Sequence, residues 1–149
     1  MAYKKGKAFE KETAELAGKY GKRMTKSGAV GTMEGIDTLV GDVQWRFPWF
    51  SKNLSGECKH GYGRKSGKGK YITLNREWFE KHMTQARAFG LFPFFSMKFK
   101  FATEDGMSKF VLIPHSTMRE LILEMDNMWQ ELQVLREEVA NEQAMQRKA

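Results

Sequence analysis

The chain is poor in the residues that build disulfides and soft metal centres. Its single cysteine, Cys58, excludes an internal disulfide and any cysteine-based zinc site. Three histidines, His60, His82 and His115, show no paired ligand spacing, so a zinc or HNH-type centre is not expected. No stretch is long and apolar enough to span a bilayer. The basic first seven residues lead into no apolar signal region, and a cytoplasmic protein is the expectation, with no membrane partner. The glycine-rich segment 28–35 lacks the Gly-Lys-Ser/Thr that follows a strand in phosphate loops.

What is present fits one ordinary domain: 149 residues, 41% of them hydrophobic. Net charge is +7, unevenly spread. From His115 onward four basic and seven acidic side chains give −3, which leaves +10 on residues 1–114. A basic body with an acidic tail points to a polyanion-binding domain joined to a segment with another role.

Periodicity supplies the elements. Phe9, Thr13, Leu16, Ala17 and Tyr20 recur at helical spacing and predict a helix over 7–19. On that pattern alone Glu10 is a solvated glutamate paired with Lys7 or Lys11. Residues 28–35 are expected to form a loop, and 36–40 a strand entry that carries a second aspartate, Asp37. Residues 60–70 interleave glycine with Arg64, Lys65, Lys68 and Lys70; so little apolar surface predicts an unpacked loop suited to a phosphate backbone. Asn75 is an N-cap for a helix whose apolar stripe runs from Trp78 to Phe89, with Gly90 as its stop and His82 packed on its stripe or edge. Strict alternation from Phe95 to Phe101, an Asp105-Gly106 turn and residues 109–113 predict two further strands. The fold class is therefore α/β, a mixed central sheet flanked by helices. Met118, Leu121, Met125, Met128, Leu132, Leu135 and Val139 then step alternately by three and four, a heptad in a long C-terminal helix capped by Ser116 or Thr117. The domain division is 1–114 for the body and 115–149 for this amphipathic helix. The helix is expected to serve dimerisation by pairing with its own copy, with packing on its own domain or binding another protein as the alternatives.

Residues 42–59 concentrate the chemistry. Val43, Trp45 and Phe47 alternate with polar residues, a turn follows, and a second run ends in Glu57-Cys58-Lys59. In a hairpin, Glu57 and Lys59 share one face, Cys58 takes the other, and Asp42 can come beside Glu57. Two carboxylates and an ammonium at one place are costly for folding alone but suited to Mg²⁺, which takes oxygen ligands. A cation so held acidifies water and offsets charge at phosphorus, and a nearby lysine stabilises developing charge. Asp42, Glu57 and Lys59 supply these parts, Glu10 can complete the metal site, and Asp37 competes with Asp42. Ser27 can meet a DNA phosphate.

The order Glu10, Ser27-Gly28, Asp42, Glu57-Cys58-Lys59 resembles the Asp…Glu-x-Lys signature of the PD-(D/E)xK nuclease superfamily. Within it, residues 5–12 and 71–99 resemble the archaeal-type Holliday-junction resolvases, in the style of phage-borne members, for which the location is the host cytoplasm. Gly41 stands where that family often has proline, and Lys11 where it usually has arginine. The resemblance implies a restriction-endonuclease-like fold and a homodimer that resolves four-way DNA junctions by paired symmetric nicks with Mg²⁺ or Mn²⁺. It implies Glu10, Asp42 and Glu57 as metal ligands, with Lys59 and Ser27 contributing to catalysis. Lys22, Arg23, Lys26, Arg64, Lys65 and Lys68 are the candidate backbone contacts. Two alternatives stand beside it: a related nuclease for flapped or duplex DNA, and a non-catalytic DNA-binding dimer.

Overall fold

A computed structural model describes residues 2–24, 40–60, 63–66, 69–72, 74–99 and 108–147. Its elements are α1 (Ala2–Glu15), β1 (Gly21–Arg23), β2 (Val43–Trp45), β3 (Leu54–His60), β4 (Gly63–Ser66), β5 (Gly69–Ile72), α2 (Arg76–Ala88), β6 (Phe92–Lys98), β7 (Lys109–Leu112) and α3 (His115–Gln146). Five strands form a mixed sheet in the order β1-β2-β3-β6-β7, and β4 and β5 form a separate antiparallel ribbon. Within the described sheet β3 and β6 run parallel, paired from Leu54↔Phe92 to His60↔Lys98. Its other strand pairs are antiparallel. The chain is thus α/β with a long C-terminal helix. No helix among the described residues is long and apolar enough to cross a membrane.

The two faces of β6 explain why its sequence is almost wholly buried. Phe95 stacks on Phe79 of α2 at 4.0 Å between ring centroids and meets His82 edge-on at 5.1 Å. On the opposite face Phe94 stacks on Trp45 at 4.2 Å, and Ser96 hydrogen-bonds Thr13 of α1 at 2.9 Å. The Trp45 indole donates to the Thr13 carbonyl at 3.0 Å, which ties α1 to the hairpin. The polar positions of β6 are therefore covered by α1 rather than by solvent: Lys98 meets Glu12 at 3.2 Å. Pro93 lies inside this strand without breaking the ladder. Its neighbour Phe92 donates toward the β3 side, to Asn53 at 2.9 Å, so the missing proline N–H falls on the other side. There β7 pairs only from Phe95 onward.

Several boundaries differ from the sequence expectation. The first helix ends at Glu15, and a single 3-10 turn, Gly18–Tyr20, leads into β1. The basic segment after Lys59, expected to stay unpacked, is a ribbon with Arg64 opposite Tyr71 and Lys65 opposite Lys70. Asn75 does cap α2, accepting from the Glu77 amide at 2.9 Å, and Gly90 follows its end with φ +66°. By contrast, neither Ser116 nor Thr117 caps α3. Pro114 occupies the N-cap, Ser116 accepts from Arg87 at 2.7 Å, and Thr117 is buried. The expected turn at Asp105-Gly106 lies outside the described residues.

The main core gathers Ala14, Val43, Leu54, Phe92, Phe94 and Leu121. Leu121 roots α3 in the body. Ser51 and Lys52 of the hairpin turn hold the same stretch, the first donating to Glu124 at 2.9 Å and the second meeting Glu120 at 3.2 Å. Gly56 is a packing requirement of this core. A Cβ there would lie 2.2 Å from the Phe94 ring. Gly56→Ala should therefore lower stability by about 1–3 kcal/mol through overpacking. Urea unfolding followed by tryptophan fluorescence measures it, and an unchanged midpoint would show that the ring is not wedged against β3.

Candidate active site

Asp42 sits where β1, β2 and β3 converge. Its N–H donates to the Gly56 carbonyl and its C=O accepts from Met24, both at 2.8 Å, so its backbone continues two ladders past the end of β2. Gly41 makes the approach possible. It has φ +80°, and a Cβ would stand 2.4 Å from Ser55 Oγ and 2.9 Å from the Gly56 carbonyl. Proline is fixed near φ −65°, so the residue that often precedes the aspartate in the resembling family is excluded here.

From that position Asp42 Oδ2 accepts the Cys58 N–H at 2.8 Å. Side-chain alternation along β3 then separates three neighbours. Cys58 turns to the α1 face, where burial raises its thiol pKa and Thr13 bonds to it. Glu57 and Lys59 form an ion pair directed toward α2. The Lys59 ammonium lies 5.1 Å from the Trp78 ring centroid, a cation–π distance. His82, on the same helix, donates from Nε2 to the Ser55 carbonyl at 2.8 Å. Burial is the main cause that lowers the His82 pKa, partly offset by that bond and by Glu57. His82 is thus a packed histidine whose polar end secures β3.

The electrostatics join these groups into one site. The Asp42 carboxyl is pushed up to about 6, first by burial and next by the Glu57 charge, with Glu10 adding to the shift. The Cys58 amide and Lys59 act against it. Glu10, on α1, lies 3.7 Å from Arg23 of β1. Glu12, two residues on, serves the fold. Lys109, at 2.9 Å, and Lys98 hold its carboxyl below the usual range and tie α1 to β6 and β7.

The structure thus brings Asp42, Glu57 and Lys59 together, with Glu10 inside their electrostatic field. Ser27, Lys26, Lys68 and the rival Asp37 lie outside the described residues. Lys22 is exposed on β1, while Arg23 is occupied with Glu10. Arg64 and Lys65 lie on β4, which leaves from the end of β3 that carries Lys59. Trp78 is the neighbour that the sequence concealed: on α2 it reads as one more apolar stripe position, and only the fold sets it over Lys59. The donor set, three carboxylates, suits a hard cation such as Mg²⁺. Among the described residues no group of three or more His, Cys, Asp or Glu side chains is gathered closely enough to hold a metal. Glu57 is turned to Lys59 and Glu10 to Arg23 instead.

Asp42 also sets a pH dependence. An aspartate titrates near about 3.9 when unfolded and at about 6 here. Between those values the unfolded chain gives up its proton first, so this group's contribution to stability falls as pH rises from about 4 to 6 and is level above. Asp42→Asn keeps an acceptor for the Cys58 amide and removes the titration. The variant should match the wild type at pH 4 and exceed it by on the order of 1–2 kcal/mol at pH 7. Urea unfolding across that range measures the difference; a gap that does not change with pH would remove Asp42 as its source. In comparisons with known proteins, no family model, no curated protein and no solved structure matches the chain.

Proposed function

We propose that the protein is a metal-dependent endonuclease for branched DNA, a Holliday-junction resolvase that makes paired symmetric nicks, built on a restriction-endonuclease-like core. The observation that carries this is the meeting of Asp42 with the Glu57–Lys59 pair, an aspartate raised to about 6 by burial and by a second carboxylate. A fold has little use for such a cluster, because burying like charges costs free energy that apolar packing would not. A hard divalent cation, when bound, would offset both charges, acidify water and neutralise charge on the phosphate. Glu10, Asp42 and Glu57 are the residues that would hold it, Glu57 turning from Lys59 and Glu10 from Arg23 to do so.

The chain's own groups have defined roles in this reading. The Cys58 amide fixes one Asp42 oxygen and so orients the carboxylate. Glu57 and the Trp78 ring hold the Lys59 ammonium beside the site. There it can donate to the negative charge that grows on the phosphate oxygens. Thr13 and the apolar α1 face keep the Cys58 thiol out of the reaction. Lys22 and the β4–β5 ribbon, with Arg64 and Lys65, are the candidates for phosphate contacts, which position a duplex without reading its bases.

Purified protein with Mg²⁺ should cut a synthetic immobile four-way junction into paired nicked duplexes and leave a linear duplex largely intact. Glu57→Gln and Lys59→Ala should each lose on the order of 10²-fold or more in cleavage rate while still retarding the junction in a gel. Cutting that persists in both variants would remove this site from the reaction. Equal cutting of junction, flap and duplex would identify a related nuclease of another specificity. Binding without any cutting by the wild type would leave a non-catalytic DNA-binding protein.

A further inference from the structure

The heptad of α3 meets the body only at its start. Thr117 and Leu121 are buried, and Glu120 and Glu124 are held by Lys52 and Ser51. Beyond Glu124 most of the apolar positions stand in solvent: Met125, Trp129 and Leu135 are each 56% exposed, Val139 51% and Leu132 40%, while Met128 is half-buried. The helix has 32 residues, about 48 Å at 1.5 Å per residue. Nearly half of it, from Met125 to Val139, therefore carries an apolar seam that its own domain leaves largely uncovered. A seam repeating at 3.5 residues suits a supercoiled helical partner.

We propose that residues 125–142 of α3 pair with the same segment of a second copy as a parallel, in-register two-stranded coiled coil. With Met118 at position a, the a and d positions are Met118, Leu121, Met125, Met128, Leu132, Leu135 and Val139. The g positions are then Glu124, Glu131 and Glu138, and the e positions are Ile122, Trp129 and Arg136. Charge decides the direction. In a parallel pair each g residue faces the e residue of the following heptad on the other helix. Glu131 then meets Arg136 of the second copy, once on each side of the seam. An antiparallel pair sets g against g, which brings the row of three glutamates against its own copy. Arg136 stays on the flank of the seam: its guanidinium lies 5.6 Å from the ring of Trp129, the preceding e position, and both side chains are exposed. The acidic excess of α3 opposes any self-pairing, so the apolar seam has to supply the attraction.

This pairing does not rest on the nuclease proposal, and its test uses no DNA. Sedimentation equilibrium of the full chain at about 10 μM should give twice the 17.3 kDa chain mass. Leu132→Asp with Leu135→Asp should return it to a single chain with its thermal unfolding little changed, because both side chains lie outside the core. Direction is read by cysteine crosslinking in a Cys58→Ala background. Met128→Cys and Leu135→Cys, tested singly under mild oxidation, should both give disulfide-linked dimers. In an antiparallel pair at most one of them faces its own copy. Arg136→Glu should weaken the dimer at least tenfold, and adding Glu131→Arg should restore it. A wild type that stays a single chain at 50 μM would overturn the proposal, as would a dimer that survives the double aspartate variant or crosslinking at only one of the two positions.

Discussion

The parallel pairing of β3 with β6 is the constraint from which the rest follows. Seven consecutive residue pairs hold β3 against a strand buried on both faces. Once β3 is fixed, alternation leaves no choice for its last residues. Gly56 and Cys58 must face α1, and Glu57 and Lys59 must face α2. The Gly56–Phe94–Trp45 contact sets how closely the strands and the hairpin approach. The Ser55 carbonyl, held by His82, pins the same strand from the other side. The polar end of β3 is therefore positioned by apolar packing two or three residues away.

That arrangement carries a conflict at Asp42. The backbone of Asp42 is locked into two ladders, and its side chain is bonded to the Cys58 amide. It cannot swing away from Glu57. Lys59 pairs with Glu57 beside Asp42, and Glu10 on α1 pairs with Arg23. Burial and repulsion together outweigh the amide bond and Lys59, and the carboxyl responds by taking up protons more readily. Glu12 on α1 is a balanced case: it has two lysines, and its pKa moves down. The contrast locates the electrostatic imbalance at the end of β3. An unbalanced site is one that a cationic ligand stabilises most, which is the physical content of assigning chemistry to this place.

Much of this was legible because it is local. The hairpin, the alternation of Glu57, Cys58 and Lys59, the Asn75 cap and the Gly90 stop depend on residues a few positions apart, and periodicity reports them directly. Asp42 beside Glu57 follows from hairpin register. The α/β class with a mixed sheet and a long last helix was equally legible from the order of periods. The remainder depends on which elements meet. Trp78 over Lys59, Arg23 against Glu10 and Glu12 between Lys98 and Lys109 join elements far apart in the chain, and no local pattern encodes them. The β4–β5 ribbon was missed for another reason. It is a backbone pairing of two strands, to which side-chain composition is nearly blind. Gly41 is the instructive case. As a departure from a family pattern it weakened the match, yet its φ of +80° and the crowding by Ser55 make glycine the residue this turn demands.

The same physics divides α3 in two. Its first turns are bound to the body by Leu121 and by the hairpin turn at Ser51 and Lys52, so the direction in which the helix leaves the domain is fixed by the core. Its later turns repeat the same apolar spacing without a surface to meet. Exposed leucine and valine at successive heptad positions are not explained by helix propensity, since charged straight-chain residues would serve as well there. A parallel pair would place both bodies at one end of a common two-fold axis, with the two Asp42–Glu57 clusters related by that axis. A two-fold pair of sites matches a substrate that is itself two-fold, and a four-way junction is such a substrate. The heptad and the carboxylate cluster thus support each other geometrically, although each rests on its own residues.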